Sequence, residues 1–132
     1  MLLDTNIVIY LMTGSRTLPD VVMKRLRDPE EQRSVSLASF WEMTIKHGKG
    51  RLALPAPFAD EPVETFEHWC ARAVIDIAPI APRHMARAMR LDFPNTDPFD
   101  RLIAATALCE DQELVTSDVG FEKCAGLRVI AV

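Results

Sequence analysis

The sequence predicts an α/β fold with a mainly parallel central sheet. Short apolar runs alternate along the chain with longer stretches whose apolar residues recur at helical spacing. Two of the short runs, Leu2-Leu3 and Leu114-Val115-Thr116, lead into Asp4 and Asp118. That places both acids where a strand ends and the chain turns, the edge at which open α/β sheets bind ligands.

The elements follow in order. Residues 1–4 read as the first strand. Residues 5–12 form a helix entered at once, carrying Ile7, Val8, Tyr10 and Leu11 and ending near Gly14. Pro19 opens a second helix with Val22, Met23 and Leu26 along one side; Asp28-Pro29 stops it. Residues 34–37 are a short strand. Residues 38–47 are helical and are closed by Gly48 and Gly50. Leu37, Phe40, Trp41, Thr44 and Ile45 make its apolar face, with Glu42 beside that face. Residues 54–62 hold three prolines and read as a connection. Residues 63–73 are a helix with Phe66, Trp69 and Cys70 on its inner side, and residues 74–77 are a strand. Pro82 begins a helix that runs to about residue 91, and residues 93–96 are a loop. Residues 98–109 form the longest convincing helix, rich in Ala and Leu. Residues 114–116 and 129–132 are the last strands. No repeat, low-complexity tract or long linker interrupts this order, so residues 1–132 are expected to be a single domain.

Composition narrows the function. A hydrophobic content of 48% with 26% charged residues is ordinary for a globular chain. The net charge of −4 offers no basic footprint and weighs against a nucleic-acid partner. An acidic metal site, however, contributes several of those charges itself, and a bound cation reverses their sign locally. Cys70, Cys109 and Cys124 are odd in number and lack zinc-like spacing, which points to free thiols in a reducing cytoplasm. His47, His68 and His84 are scattered and form no ligand motif. No stretch resembles a secretion signal or a membrane span, so neither export nor membrane insertion is expected.

Four carboxylates carry the chemistry: Asp4, Glu42, Asp100 and Asp118. Each has a structural alternative. Asp4 suits the cap of the helix that follows. Glu42 suits an i,i+4 pair with Lys46. Asp118 suits a turn before Gly120. Asp97-Pro98 is a helix start, Asp as N-cap and Pro at the first position, and Asp100 then falls near the positive end of the helix dipole. Taken together, Asp4 and Asp118 share one sheet edge, and Asp100 begins the helix that leads into the strand of Asp118. Acids gathered there repel unless a cation neutralises them, and an oxygen-only set suits Mg²⁺ or Mn²⁺. Lys46, Lys49 and Arg51 form a basic cluster, either phosphate contacts or a solvated helix end. No Gly-rich phosphate loop, G-x-S-x-G elbow or phosphoaspartate motif competes.

These residues resemble a known family. Leu2-Leu3-Asp4-Thr5-Asn6, Ser39-Phe40-Trp41-Glu42-Met43-Thr44-Ile45-Lys46 with Gly50-Arg51-Leu52, Thr96-Asp97-Pro98-Phe99-Asp100-Arg101-Leu102-Ile103-Ala104-Ala105-Thr106-Ala107 and Leu114-Val115-Thr116-Ser117-Asp118 occur in the order found in PIN-domain ribonucleases, and specifically in VapC-like toxins of type II toxin–antitoxin systems. The resemblance departs at Pro94-Asn95-Thr96, where close relatives often carry a His-containing loop. It implies a three-layer α/β/α fold and a divalent-metal endoribonuclease whose acids match Asp4, Glu42, Asp100 and Asp118, with Asp97 as an accessory. It also implies a homodimer held inactive by a cognate antitoxin.

On the chemistry, Asp4, Asp100 and Asp118 are assigned as metal ligands, direct or through water. Glu42 either ligates or orients the attacking water, and Thr116 and Ser117 support the site. Two other readings remain: a non-catalytic interaction domain with a cation-binding acidic edge, and a DNA-directed nuclease of the same architecture. An antitoxin surface is expected around Ile7, Val8, Tyr10 and Leu11 and around Val21, Val22, Met23 and Leu26, as more apolar surface than one sheet face covers.

Overall fold

Leu2 and Leu3 are fully buried, and their opposite faces organise the molecule. Successive strand residues point to opposite sides of a sheet. Leu3 lies in register with Val35 and Val115, and Leu2 with Leu114. The first three belong to a core on one side of the sheet, and Leu2 and Leu114 to a second core on the other. A computed structural model describes all residues, 1–132.

Five parallel strands make the sheet: β1 (Leu2–Leu3), β2 (Ser34–Ser36), β3 (Asp76–Ala78), β4 (Leu114–Thr116) and β5 (Val129–Ala131), in the order β3-β2-β1-β4-β5. Seven helices flank it: α1 (Thr5–Thr13), α2 (Asp20–Arg27), α3 (Leu37–Gly48), α4 (Pro57–Asp60), α5 (Pro62–Ala73), α6 (Pro82–Met89) and α7 (Pro98–Cys109). The first core takes Ile7 and Val8 from α1, Val22 from α2, Met43 from α3, Phe58 from α4, and Phe66 and Cys70 from α5. The second takes Ile103, Ala104 and Ala107 from α7, with Phe93, Phe121 and Cys124. Ala104 and Ala107 of α7 pack in this core with Leu2 and Leu114 of the sheet. Each fully buried Leu, Ile or Phe side chain contributes roughly 2–3 kcal/mol. The result is a three-layer α/β/α fold with an all-parallel sheet.

The local structure departs from the sequence expectation in five places. Leu37 belongs to α3, not to the strand before it, because the Ser36 hydroxyl caps the helix by accepting from Ala38 N at 3.1 Å. The proline-rich connection contains the single-turn α4, which buries Phe58. The third strand starts at Asp76, two residues later than expected. Val74 ends α5 in the left-handed conformation (φ 55°), which no strand accommodates. A 3-10 turn, Val119–Lys123, follows Asp118 and buries Phe121. Finally, the buried face of α3 is Ala38, Ser39, Glu42 and Met43; Leu37 and Trp41 are exposed, Trp41 by 60%. The expected apolar face is therefore corrected at Leu37 and Trp41, whereas Phe40 does pack against Phe58 and Phe66, and Glu42 sits on the buried side.

The order β3-β2-β1-β4-β5 has one consequence for function. From β1 the chain builds outward first through β2 and β3, then on the other side through β4 and β5. The direction reverses between β1 and β4, and crevices open at the carboxyl ends of strands at such a switch point. Asp4 follows β1 and Asp118 follows the last residues of β4, with Asp4 N bonded to Val115 O at 3.0 Å.

Candidate active site

A cavity of ≈ 380 Å³ opens at that switch point. Its lining includes Asp4, Glu42, Asp97, Asp100 and Asp118 together with Lys46, Lys49 and Arg51. Four elements deliver these groups: the end of β1, helix α3 and the turn beyond it, the start of α7, and the end of β4. A larger cavity of ≈ 500 Å³ lies at the opposite end of the sheet beside Met1, where Glu31 and Glu113 already pair with Arg25. That cavity is lined by acids too, Asp28, Glu30, Glu31, Glu110, Asp111 and Glu113, so neither volume nor the number of carboxylates chooses the site. There Glu31, Glu113, Glu110 and Asp111 are paired with arginines, whereas at the switch point only Glu42 has a cationic partner.

Each acid is held by a structural bond. Asp4 is buried. Its Oδ1 accepts from Thr5 N at 2.7 Å, capping α1, and its Oδ2 accepts from the Thr116 hydroxyl at 2.6 Å. Thr116 Oγ1 in turn accepts from Asp118 N at 3.0 Å, tying β1 to β4 through side chains. Asp118 Oδ1 caps the 3-10 turn through Gly120 N at 2.7 Å. Asp97 Oδ1 caps α7, accepting from Phe99 N at 2.8 Å and Asp100 N at 3.2 Å. Asp100 Oδ2 accepts from the Asn95 amide at 2.7 Å. Glu42, buried on α3, accepts from the Thr5 hydroxyl at Oε2 and meets Lys46 Nζ at Oε1, both at 2.5 Å. The capping and pairing alternatives weighed from sequence are all realised, and the same acids also line one cavity. Asp97 Oδ2, Asp100 Oδ1 and Asp118 Oδ2 accept no protein hydrogen bond.

Burial sets the electrostatics. It pushes the carboxyl of Asp4 up to about 6, against the pull of the Thr116 and Thr5 bonds, with Glu42 and Asp118 adding repulsion. Asp100 also rises to about 6, chiefly through burial and against the Asn95 bond, with the charges of Asp97, Asp4 and Glu42 adding. These acids ionise reluctantly until positive charge enters the cavity.

Among the other candidates, Thr116 sits at the centre of the network. Ser117 does not reach the cavity; its hydroxyl lies 3.4 Å from that of Tyr10. Lys46 is paired with Glu42, whereas Lys49 and Arg51 have no carboxylate partner. Thr5, Asn6, Ile45 and Phe99 also line the cavity. Thr5 was not singled out from sequence as a site residue, and its link to Glu42, 37 residues away, has no local signal. Asn95 stood within a loop whose composition signals a turn and nothing more.

The oxygen set fits a hard divalent cation. No three acidic side chains close around a common point, so a complete protein cage is absent. Mg²⁺ does not need one. It keeps several waters and takes its remaining ligands from one or two carboxylates and from phosphates. The thiols stay apart from this set: Cys70 and Cys124 are buried elsewhere and Cys109 is exposed.

The family model for the PIN domain matches residues 1–127. Among solved structures, VapBC2 from Rickettsia felis, bound to a DNA fragment from its promoter, superposes with a TM-score of 0.72 at 18% identity, covering 98% of this chain and 96% of that one. DNA-bound VapBC from Salmonella typhimurium gives a TM-score of 0.70 at 17% identity, covering 98% and 96%. A toxin–antitoxin complex from Klebsiella pneumoniae gives 0.62 at 24% identity, covering 98% and 95%. At these identities the likeness is one of fold. No curated protein matches significantly in sequence.

Proposed function

The chain belongs to the PIN domain family, and from that membership we propose that it is a divalent-metal-dependent endoribonuclease, the toxin component of a type II toxin–antitoxin system. PIN domains are a nuclease family, so the coarse activity is hydrolysis of phosphodiester bonds. The observation that carries the finer reading is the convergence of Asp4, Glu42, Asp97, Asp100 and Asp118 on one cavity that also holds Lys46, Lys49 and Arg51.

In this reading residues 1–132 form one PIN-like domain. Asp4, Asp100 and Asp118 hold Mg²⁺ or Mn²⁺, directly or through water, and Asp97 assists. The ion supplies charge that neutralises the phosphate and acidifies the attacking water. Glu42, fixed between Thr5 and Lys46, orients that water. Thr116 keeps Asp4 and Asp118 in register, and Ser117 supports the strand end. Lys49 and Arg51, free of carboxylate partners, take phosphates of the flanking nucleotides, joined by Lys46 when substrate charge competes with Glu42. RNA is assigned as substrate from the resemblance to VapC-like toxins.

Two surfaces suit protein partners in the cytoplasm. Leu37 and Trp41 leave an apolar stripe exposed on α3, which suits a second copy of the chain. The antitoxin surface needs correction from the sequence expectation: Ile7, Val8 and Val22 are buried in the core. What remains is a pair of clefts that meet at Trp69. One is lined by Leu11, Met23, Leu26 and Ile75 and rimmed by Arg27 and Arg33; the other is lined by Met12, Pro55 and Pro57 together with Glu61, Glu64, His68 and Arg72. An apolar antitoxin segment suits that line.

The test is incubation of the pure protein with a structured RNA and with single-stranded DNA, with Mn²⁺, Mg²⁺ or chelator, beside the Asp100→Asn variant. Internal cleavage of RNA that requires metal and falls about a hundredfold or more in the variant is expected. Metal-independent cleavage, or full activity in Asp100→Asn, refutes the assignment. Cleavage confined to DNA moves the reading to a DNA nuclease. Mn²⁺ binding without any cleavage moves it to a non-catalytic interaction domain.

A further inference from the structure

We propose that Asn95 is a positioning residue that fixes Asp100, and that Arg101 is the brace that holds Asn95 in place. The inference rests on the proposed metal site and names the devices that aim one of its ligands.

The Asn95 side chain bridges two points at the start of α7. Its Oδ1 accepts from Asp97 N at 2.8 Å, and its Nδ2 donates to Asp100 Oδ2 at 2.7 Å. The orientation of the amide follows from chemistry, since only an oxygen can face the N–H of Asp97 and only an N–H can face a carboxylate. A single neutral amide thus serves both neighbours. Alanine leaves Asp100 without a protein donor; aspartate sets a second anion against it.

Asn95 itself lies between α6 and α7, in a connection without regular structure. Arg101, one residue beyond Asp100 on α7, holds that connection by its main chain. Its Nε donates to Ala88 O at 3.1 Å. Nη1 donates to Phe93 O at 2.7 Å and to Asn95 O at 2.9 Å. Nη2 donates to Ala88 O at 2.8 Å and Leu91 O at 3.2 Å. Four carbonyls converge on one guanidinium, a planar fork that a lysine ammonium cannot reproduce. Helix α7 therefore carries the acid and, through the next residue, also anchors the loop whose side chain steadies that acid. Asp100 Oδ2 is pinned, and Oδ1 remains free for a ligand.

Outer partners of this kind orient metal ligands, and their loss typically weakens metal binding about ten- to a hundredfold. The test measures Mn²⁺ affinity by electron paramagnetic resonance on the full chain for wild type, Asn95→Ala, Arg101→Lys and the double variant. It is paired with metal-free melting curves and a crystal structure of Asn95→Ala. Asn95→Ala is expected to weaken Mn²⁺ binding about tenfold or more, to shift metal-free melting by only roughly 3–5 °C, and to release the Asp100 side chain from its rotamer. Arg101→Lys is expected to weaken Mn²⁺ binding as well. The double variant should bind no more weakly than Asn95→Ala alone, because the brace acts through Asn95. An affinity for Asn95→Ala within about twofold of wild type, or an unmoved Asp100, overturns the role of Asn95. Additive losses overturn that of Arg101. If the wild type bound no Mn²⁺, the nuclease reading would fail, and the rotamer of Asp100 in Asn95→Ala would still decide the positioning role.

Discussion

Replacing Asp4 by Asn tests the electrostatics of the cavity without measuring catalysis. Asp4 is 3% exposed, and burial moves its carboxyl from an ordinary 3.8 to about 6. Between those values the folded chain keeps a proton that the unfolded chain has released. The stability of the metal-free protein therefore falls as pH rises through that window. A displacement of this size costs about 3 kcal/mol at pH 7 but only about 0.5 kcal/mol at pH 4. Asn carries no charge and escapes the penalty. Its oxygen still accepts from Thr5 N, but an amide nitrogen in place of Oδ2 cannot accept from Thr116, whose hydroxyl must turn. That loss costs about 1 kcal/mol. The net gain is about 2 kcal/mol at pH 7, against a loss of about 0.5 kcal/mol at pH 4. At roughly 3–4 °C per kcal/mol for a chain of this size, melting should rise by about 6–8 °C at pH 7 and fall slightly at pH 4. Circular dichroism melts in chelator at both pH values make the measurement. A variant that melts at or below wild type at pH 7, or a difference independent of pH, refutes the reasoning.

The remaining expectations concern metal and partners. Mn²⁺ at about a hundred times its dissociation constant should stabilise the wild type by about 2.7 kcal/mol and raise melting by about 8–10 °C; Asp118→Asn should lose most of that shift. Substituting Cys70, Cys109 and Cys124 together by Ala should leave Mn²⁺ affinity unchanged in a folded variant, and a calorimetric loss of binding would contradict an oxygen-only site. Trp41→Glu should make the chain monomeric by light scattering while melting within about 2 °C of wild type, because Trp41 is 60% exposed. Leu11→Glu with Met23→Glu should weaken binding to a co-expressed antitoxin about tenfold or more. Undiminished binding, read by calorimetry, would place that partner elsewhere.

The parts of the fold written in local sequence were legible from it. Asp97-Pro98 announces a helix start by the chemistry of two adjacent residues, and the aspartates after two apolar runs mark strand ends. What failed to show was non-local or masked by an assumption. The apolar pattern of Leu37, Phe40 and Trp41 marks a buried face only if large residues do the packing. In α3 the close approach is made by Ala38 and Ser39, and Leu37 and Trp41 are left outside. Val74 has the composition of a strand residue but takes a left-handed turn at a helix end, with 67% of its surface exposed. Ile7, Val8 and Val22 looked surplus because one face of a small sheet was expected to cover less apolar surface than these helices carry. The described core, which runs from Met1 to Phe66 and Ile75 on that face, is larger than strand length implies. The links from Thr5 to Glu42 and from Thr116 to Asp4 join residues far apart in sequence, so no window along the chain contains them.

Three of the acids, Asp4, Asp97 and Asp118, each begin a helical segment as its cap. Capping alone is undemanding: Asn and Ser serve about as well as Asp, and Thr nearly so. Across descendants of this chain, the two requirements therefore leave different marks. If hydrolysis uses these acids as proposed, Asp is expected to persist at all three positions wherever hydrolysis is still selected. Where it has lapsed, these positions drift to Asn, Ser or Thr while the fold persists, and position 4 drifts first because burial there penalises the charge. A silenced lineage thus announces itself by polar substitutions at helix starts, well before any sign of decay in the core.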